Sequence, residues 1–198
     1  MYEFTDKILK ILIRDYIARF GKVKRMLFRF DKLNVLKVTK DLYSEMDIVT
    51  RRKLLELANT VYLNNLQKTV KKAEIEEDWL IDILDDYNSV TKYVYTHEWD
   101  RKRARFFEAL MGSKNKEQEV DPAMRAVFRQ VKIYADHTTR QAVLKAYKDS
   151  GVEYVRWITV EDERRCEKCR NLHNKVFRID KVPDIPHIGC RCRLVPVN

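Results

Sequence analysis

The sequence predicts an α+β protein, mainly α. Long N-terminal and central helices come first, followed by a small antiparallel β module closed by a zinc site. Three observations carry this expectation. The 198 residues include only 4 Gly and 4 Pro, too few for the many tight turns of an all-β fold, since average usage is about 7% and 5%. Apolar residues recur at spacings of three and four through most of the chain before Gly151, the period of amphipathic helices. Beyond Gly151 the texture changes to β-branched and aromatic residues, and all four cysteines fall between positions 166 and 192.

Composition narrows the function classes. A hydrophobic content of 45% can build a core, which excludes a disordered basic tail. No apolar run approaches the roughly 20 residues of a bilayer span, so no membrane role is expected. The run Ile8 to Asp15 is broken by Lys10 and Arg14 and lacks a small-residue cleavage site, which argues against a signal peptide. A reducing compartment is therefore expected, where clustered cysteines hold metal more often than they form disulfides. The 40 Lys and Arg against 30 Asp and Glu give a net charge of +10. Residues 1–40 hold 11 basic and 4 acidic side chains, +7 of that total, which reads either as a solvated face or as a surface for phosphates or an acidic protein.

In chain order, residues 3–20 place Ile8, Leu9, Leu12, Ile13, Tyr16, Ile17 and Phe20 on a helical stripe that starts near a Thr5 cap and ends before Gly21. A second helical stretch covers 30–72, with a break expected near Asp47. A third spans 73–88, its Trp79, Leu80, Ile83 and Leu84 ringed by acidic residues. A fourth covers 98–111, and Gly112 to Lys116 is the candidate hinge. Asp121-Pro122 predicts a capped start for a helix over 122–150, with Val127, Val131, Tyr134, Thr138, Ala142 and Ala146 inward and Gly151 as its stop. Strands are expected over 152–160, 176–179 and 191–195. The organisation that follows is a helical N-terminal region over 1–112, a hinge over 113–121 and a C-terminal module over 122–198, itself a helix (122–150) and a metal-stapled β module (152–198).

One constellation carries chemistry. Cys166-x2-Cys169 is followed after a gap of 17 residues by His187-x2-Cys190 and then Cys192. Two ligands three positions apart can grip one ion from a tight turn, and two such turns supply a closed tetrahedral zinc site. Cys166, Cys169, His187 and Cys190 form the preferred set. Cys192 can replace His187 or Cys190, and His173 is a reserve. More donors than places favours one structural Zn2+ per chain over a catalytic ion, which keeps a position open. A β module of about 45 residues needs such a staple to hold its loops. His97 and His137 stand alone and read as structural or surface residues. Neither a P-loop nor a nucleophile elbow occurs, so the expectation is a non-enzyme. Two alternatives from other classes are a zinc-dependent nuclease, in which His173-Asn174 would act, and a zinc-ribbon regulator that binds nucleic acid.

Gly151-Val152, Arg156-Trp157, the run Asp162 to Leu172 with its Cys pair, Val176-Phe177, and His187-x2-Cys190-Arg191-Cys192 follow one another in order. This series, with the helix Val127 to Tyr147 before it, resembles the Mu F-like minor head protein family of phage head morphogenesis proteins over about 122–198. Arg129-Gln130-Val131 stands where the family often shows an Arg-Thr-Glu run. The resemblance implies a virion component in the capsid interior, present in the host cytoplasm during assembly. It implies association with the portal protein and with the major capsid or scaffolding protein, and a part in DNA packaging or ejection. With the basic N-terminal segment, it also leads to an expected non-specific contact with double-stranded DNA.

Overall fold

The computed structural model describes residues 2–27, 32–66, 75–85, 95–187 and 189–197. Five long helices come first: α1 (Tyr2–Met26), α2 (Lys32–Asn65), α3 (Glu77–Asp85), α4 (Tyr95–Gly112) and α5 (Val120–Asp149). They are followed by β1 (Tyr154–Ile158), the short helix α6 (Glu167–Leu172), β2 (Val176–Arg178) and β3 (Arg193–Val197). The α+β, mainly α architecture expected from glycine scarcity and helical periodicity is the one observed. Helices α2 and α5 are the central pair, each touching the other four of these helices.

Helix α1 runs through Gly21 instead of ending before it. A helix-interior glycine costs about 1 kcal/mol. Val23 and Leu27 extend the buried stripe of Ile8, Leu12, Tyr16 and Phe20, and burying each contributes about 1.5–3 kcal/mol, so packing wins. Helix α2 likewise passes Asp47 without a break. That carboxylate accepts from Arg51 one turn on and from the Tyr95 hydroxyl of α4 at 2.5 Å, so it anchors the helix. Residues 73, 74 and 86–88 of the third expected helix lie outside the described residues. Its observed start is Glu77, because Asn59 of α2 takes both the N–H and the C=O of Ile75.

Buried polar contacts fix the helix register. The Tyr16 hydroxyl pairs with Thr50, whose own hydroxyl donates to the Met46 carbonyl at 2.6 Å. Trp99 Nε1 donates to the Tyr43 carbonyl at 2.9 Å, and Tyr62 donates to Asp149 at the far end of α5. His137 contacts the Ile83 carbonyl at 2.9 Å, a structural use of a lone histidine, while His97 is exposed on α4.

The start of α5 departs from expectation. A 3-10 turn, Lys116–Glu119, feeds straight into it, so Glu119 and not Asp121 occupies the cap position, with no side-chain cap bond. The Val120 N–H is already taken by the Glu117 carbonyl, and Asp121 sits 3.6 Å from Lys24 of α1. All six expected inward residues of α5, from Val127 to Ala146, are buried. At its end Gly151 adopts φ +76°. The Gly151 N–H bonds the Lys148 carbonyl and the Val152 N–H bonds the Tyr147 carbonyl, the two bonds of a Schellman stop.

The three strands form one antiparallel sheet in the order β2-β1-β3. β3 begins at Arg193, two residues beyond the expected start, because Cys190 to Cys192 are still in the turn and Trp157 pairs with Leu194. Val155, Trp157 and Leu194 face α5 and join the helical core as one continuous apolar cluster. Arg140 of α5 lies 4.5 Å from the Trp157 ring centroid and donates to the Pro183 carbonyl at 2.8 Å. That one side chain ties α5 to β1 and to the loop that leads to His187.

Candidate metal centre

The site is assembled from two turns that face each other beyond β1. After Ile158 the chain makes a turn in which the Asp162 side chain accepts from the Arg164 N–H at 3.1 Å, a local bond that aspartate favours. Cys166 then caps α6, its Sγ accepting from the Cys169 N–H at 3.3 Å. The spacing of two intervening residues therefore places both sulfurs on one side of a single helical turn. Asn174, at φ +62°, returns the chain, and its N–H bonds the Trp157 carbonyl at 2.8 Å, so the first turn is clamped to the central strand. The second turn pivots on Gly189, whose φ is +74°. Glycine occupies that left-handed conformation without steric cost, and the reversal brings His187 and Cys190 each beside Cys169, in different donor triads.

Cys169 is the common vertex. Its Sγ lies 3.2 Å from His187 Nε2 and 3.6 Å from Cys190 Sγ. The donor atoms of Cys166, Cys169 and His187 lie within 4.8 Å of one another, as do those of Cys169, Cys190 and Cys192. A tetrahedral ion with Zn–S of 2.3 Å and Zn–N near 2.0 Å separates its donors by about 3.5–3.8 Å. The two closest separations are near those edges. All four cysteines are free thiols, with Cys169 buried and the others half-buried.

The electrostatics point the same way. Burial pushes the Cys169 thiol well above its ordinary range. Hydrogen bonding with Cys192, and then burial, does the same to Cys190. These sulfurs are poor anions unless a cation lies among them, and a divalent cation reverses that balance by deprotonating its thiol ligands. The donor set, soft sulfur with one imidazole, fits zinc.

His173 does not join the cluster. Its Nδ1 accepts from the Thr159 N–H at 3.2 Å and its Nε2 faces Glu161 at 2.9 Å, so both ring nitrogens are engaged. The reserve donor expected from the sequence is thus committed to Thr159 and Glu161 instead of the cluster. Sequence reasoning also missed a support. Arg191, between the two last cysteines, makes two bonds of 2.6 Å to the Asp162 carboxylate and holds that carboxyl below its usual range. This fork ties the second turn to the first. Both residues stood in the quoted motif, and only their spacing of 29 positions hid the pairing.

Residues 113–195 match the family model described as Phage Mu protein F like protein. Over this segment the chain is similar to the Mu F-like family. The Mu F-like match begins at Ser113, earlier than the motif series suggested, and takes in the 3-10 turn, all of α5, both cysteine turns and β1 to the middle of β3. Every candidate donor lies inside it. The match links this segment to phage head morphogenesis. Among the described residues, no helix is long and apolar enough to cross a membrane. No curated protein and no solved structure matches the chain.

Proposed function

We propose that this protein is a minor head protein of a tailed phage, incorporated into the procapsid near the portal. There it acts in head assembly, DNA packaging or DNA ejection, in contact with the portal protein, the major capsid or scaffolding protein, and packaged double-stranded DNA. The Mu F-like segment is the observation that carries this reading. Its Cys166, Cys169, His187, Cys190 and Cys192 would hold one Zn2+, with Cys192 as the fifth donor competing for four places. The ion supplies a structural cross-link and no chemistry. It closes two loops around three short strands that bury few apolar residues of their own, chiefly Val155, Trp157 and Leu194.

We also propose that the protein is not an enzyme. The engaged ring of His173 supports this, since it leaves a nuclease reading without a free imidazole beside the cluster. The test is co-expression with the cognate portal protein, followed by purification through a tag on the portal and elemental analysis of what co-elutes. Co-elution with close to one zinc per chain is expected. A chain that never associates with portal or procapsid overturns the head assignment, and a metal-free, fully folded chain overturns the zinc assignment.

A further inference from the structure

Helix α1 buries Ile8, Leu12, Tyr16, Phe20 and Val23 on one side, and that rotation decides where its cations go. Lys7, Lys10, Arg14, Ala18, Lys22 and Arg25 follow at gaps of three and four residues, and all six are exposed. At a rise of 1.5 Å per residue they mark a straight ridge about 27 Å long. Asp15 is the only carboxylate between Lys7 and Arg25, and it is bound to Arg19 at 2.6 Å. Arg19 also pairs with Glu45, and Lys24 lies 3.6 Å from Asp121. The structure thus sorts the cations of α1 into two neutralised at the flanks, Arg19 and Lys24, and five that stand together on one face.

We infer that this ridge is a binding surface for the phosphates of duplex DNA. The inference deepens the head-protein reading and rests on it for the choice of polyanion. Geometry favours a regular polymer over a folded acidic surface. The ridge is straight, of one sign, and steps by about 4.5–6 Å per residue pair apart from the gap at Ala18. One duplex strand presents a phosphate every 3.4 Å along its axis. Among the described residues, this face presents lysine and arginine in place of a glycine-bounded cradle or an aromatic platform, so the contact reads charge and not sequence.

The magnitude follows from counterion release. Five phosphate contacts give a slope of log affinity against log salt of about −4.5, which is roughly a 500-fold loss between 50 and 200 mM salt. The experiment uses the full chain and a 40-base-pair duplex of arbitrary sequence in a salt titration. The double variant Lys10→Glu, Arg14→Glu should lower the slope by about 2. Lys114→Glu, Lys181→Glu, at exposed residues outside α1, makes the same change in net charge and should bind within twofold of the parent. Ala18→Lys, which fills the missing position, should tighten binding and steepen the slope by about 0.9. Circular dichroism on each variant verifies folding.

No binding by the parent at 50 mM salt overturns the inference, as does an equal loss in both double variants. Poly-glutamate that competes as well per charge as the duplex overturns the choice of DNA and points to an acidic protein surface. Portal co-purification is a separate measurement, so failure of the head-protein reading and failure of the ridge are told apart.

Discussion

Replacing Cys169 with serine tests the geometry of the metal centre most directly. Cys169 is shared by both donor triads, so its loss leaves the other four donors as two pairs, Cys166 with His187 and Cys190 with Cys192, without a common vertex. Cys192 belongs to one triad only, and its loss leaves Cys166, Cys169, His187 and Cys190 intact. Structural zinc in finger peptides binds with about 10–16 kcal/mol over four ligands. One ligand is then worth about 3 kcal/mol, or roughly a hundredfold in affinity. Under zinc buffered well above the parent's dissociation constant, a hundredfold weaker site removes about 2.7 kcal/mol of linked stability. For a chain of this size that lowers Tm by about 5–11 °C. The assay is competition with a chromophoric chelator, paired with melts at fixed free zinc. Cys169→Ser should show the full loss, and Cys192→Ser should stay within about tenfold of the parent. Equal losses for the two variants would refute the shared-vertex geometry, and so would parental affinity in Cys169→Ser.

Asp136, on α5, has its carboxyl raised to about 6, chiefly by burial, with Asp6 adding to the shift and Lys132 opposing it. A carboxyl raised on folding destabilises as pH rises from its ordinary value toward 6 and above. Asp136→Asn should therefore gain about 2 kcal/mol at pH 7.5 and nothing at pH 4, and a gain that does not change with pH in thermal melts would contradict the burial origin. Gly151→Ala meets no atom within 4 Å, so its cost is conformational alone, about 1–2 kcal/mol for an alanine held at φ +76°. Denaturant titration reads it, and a neutral result would mean that the Schellman stop relaxes. Arg191 holds the Asp162 carboxyl low, which contributes stability above the ordinary carboxylate range and loses it as pH falls through the depressed value. Arg191→Ala should flatten that acid limb of the melting curve and weaken zinc binding by about 10–100-fold. An unchanged acid limb would remove the fork from the account.

Local patterns show where the sequence could and could not be read. The inward stripe of α5 was legible because Val127 to Ala146 repeat at the helical period, and the stop at Gly151 because only glycine readily takes that conformation. The donors stood out as candidates because cysteine is rare in this chain and their spacing suits a turn. The boundaries misjudged at Gly21 and Asp47 involve partners from elsewhere in the chain. Gly21 reads as a stop until Val23 and Leu27 are seen in the core, and Asp47 reads as a break until Tyr95 arrives from α4. Asp121 reads as a cap until the preceding turn supplies the Val120 bond.

The sequence by itself determined the class of fold, the periodicity of its helices, the candidate donor residues and the resemblance of residues 113–195 to the Mu F-like family, because each is written in local spacing or in rare residue types. The tertiary structure alone decided that Cys169 stands at the common vertex, that Arg191 reaches Asp162, that Arg140 covers Trp157, and that the five-cation face of α1 is the one left exposed. Those facts depend on which side each helix buries and on contacts between residues tens of positions apart, and no local pattern encodes them.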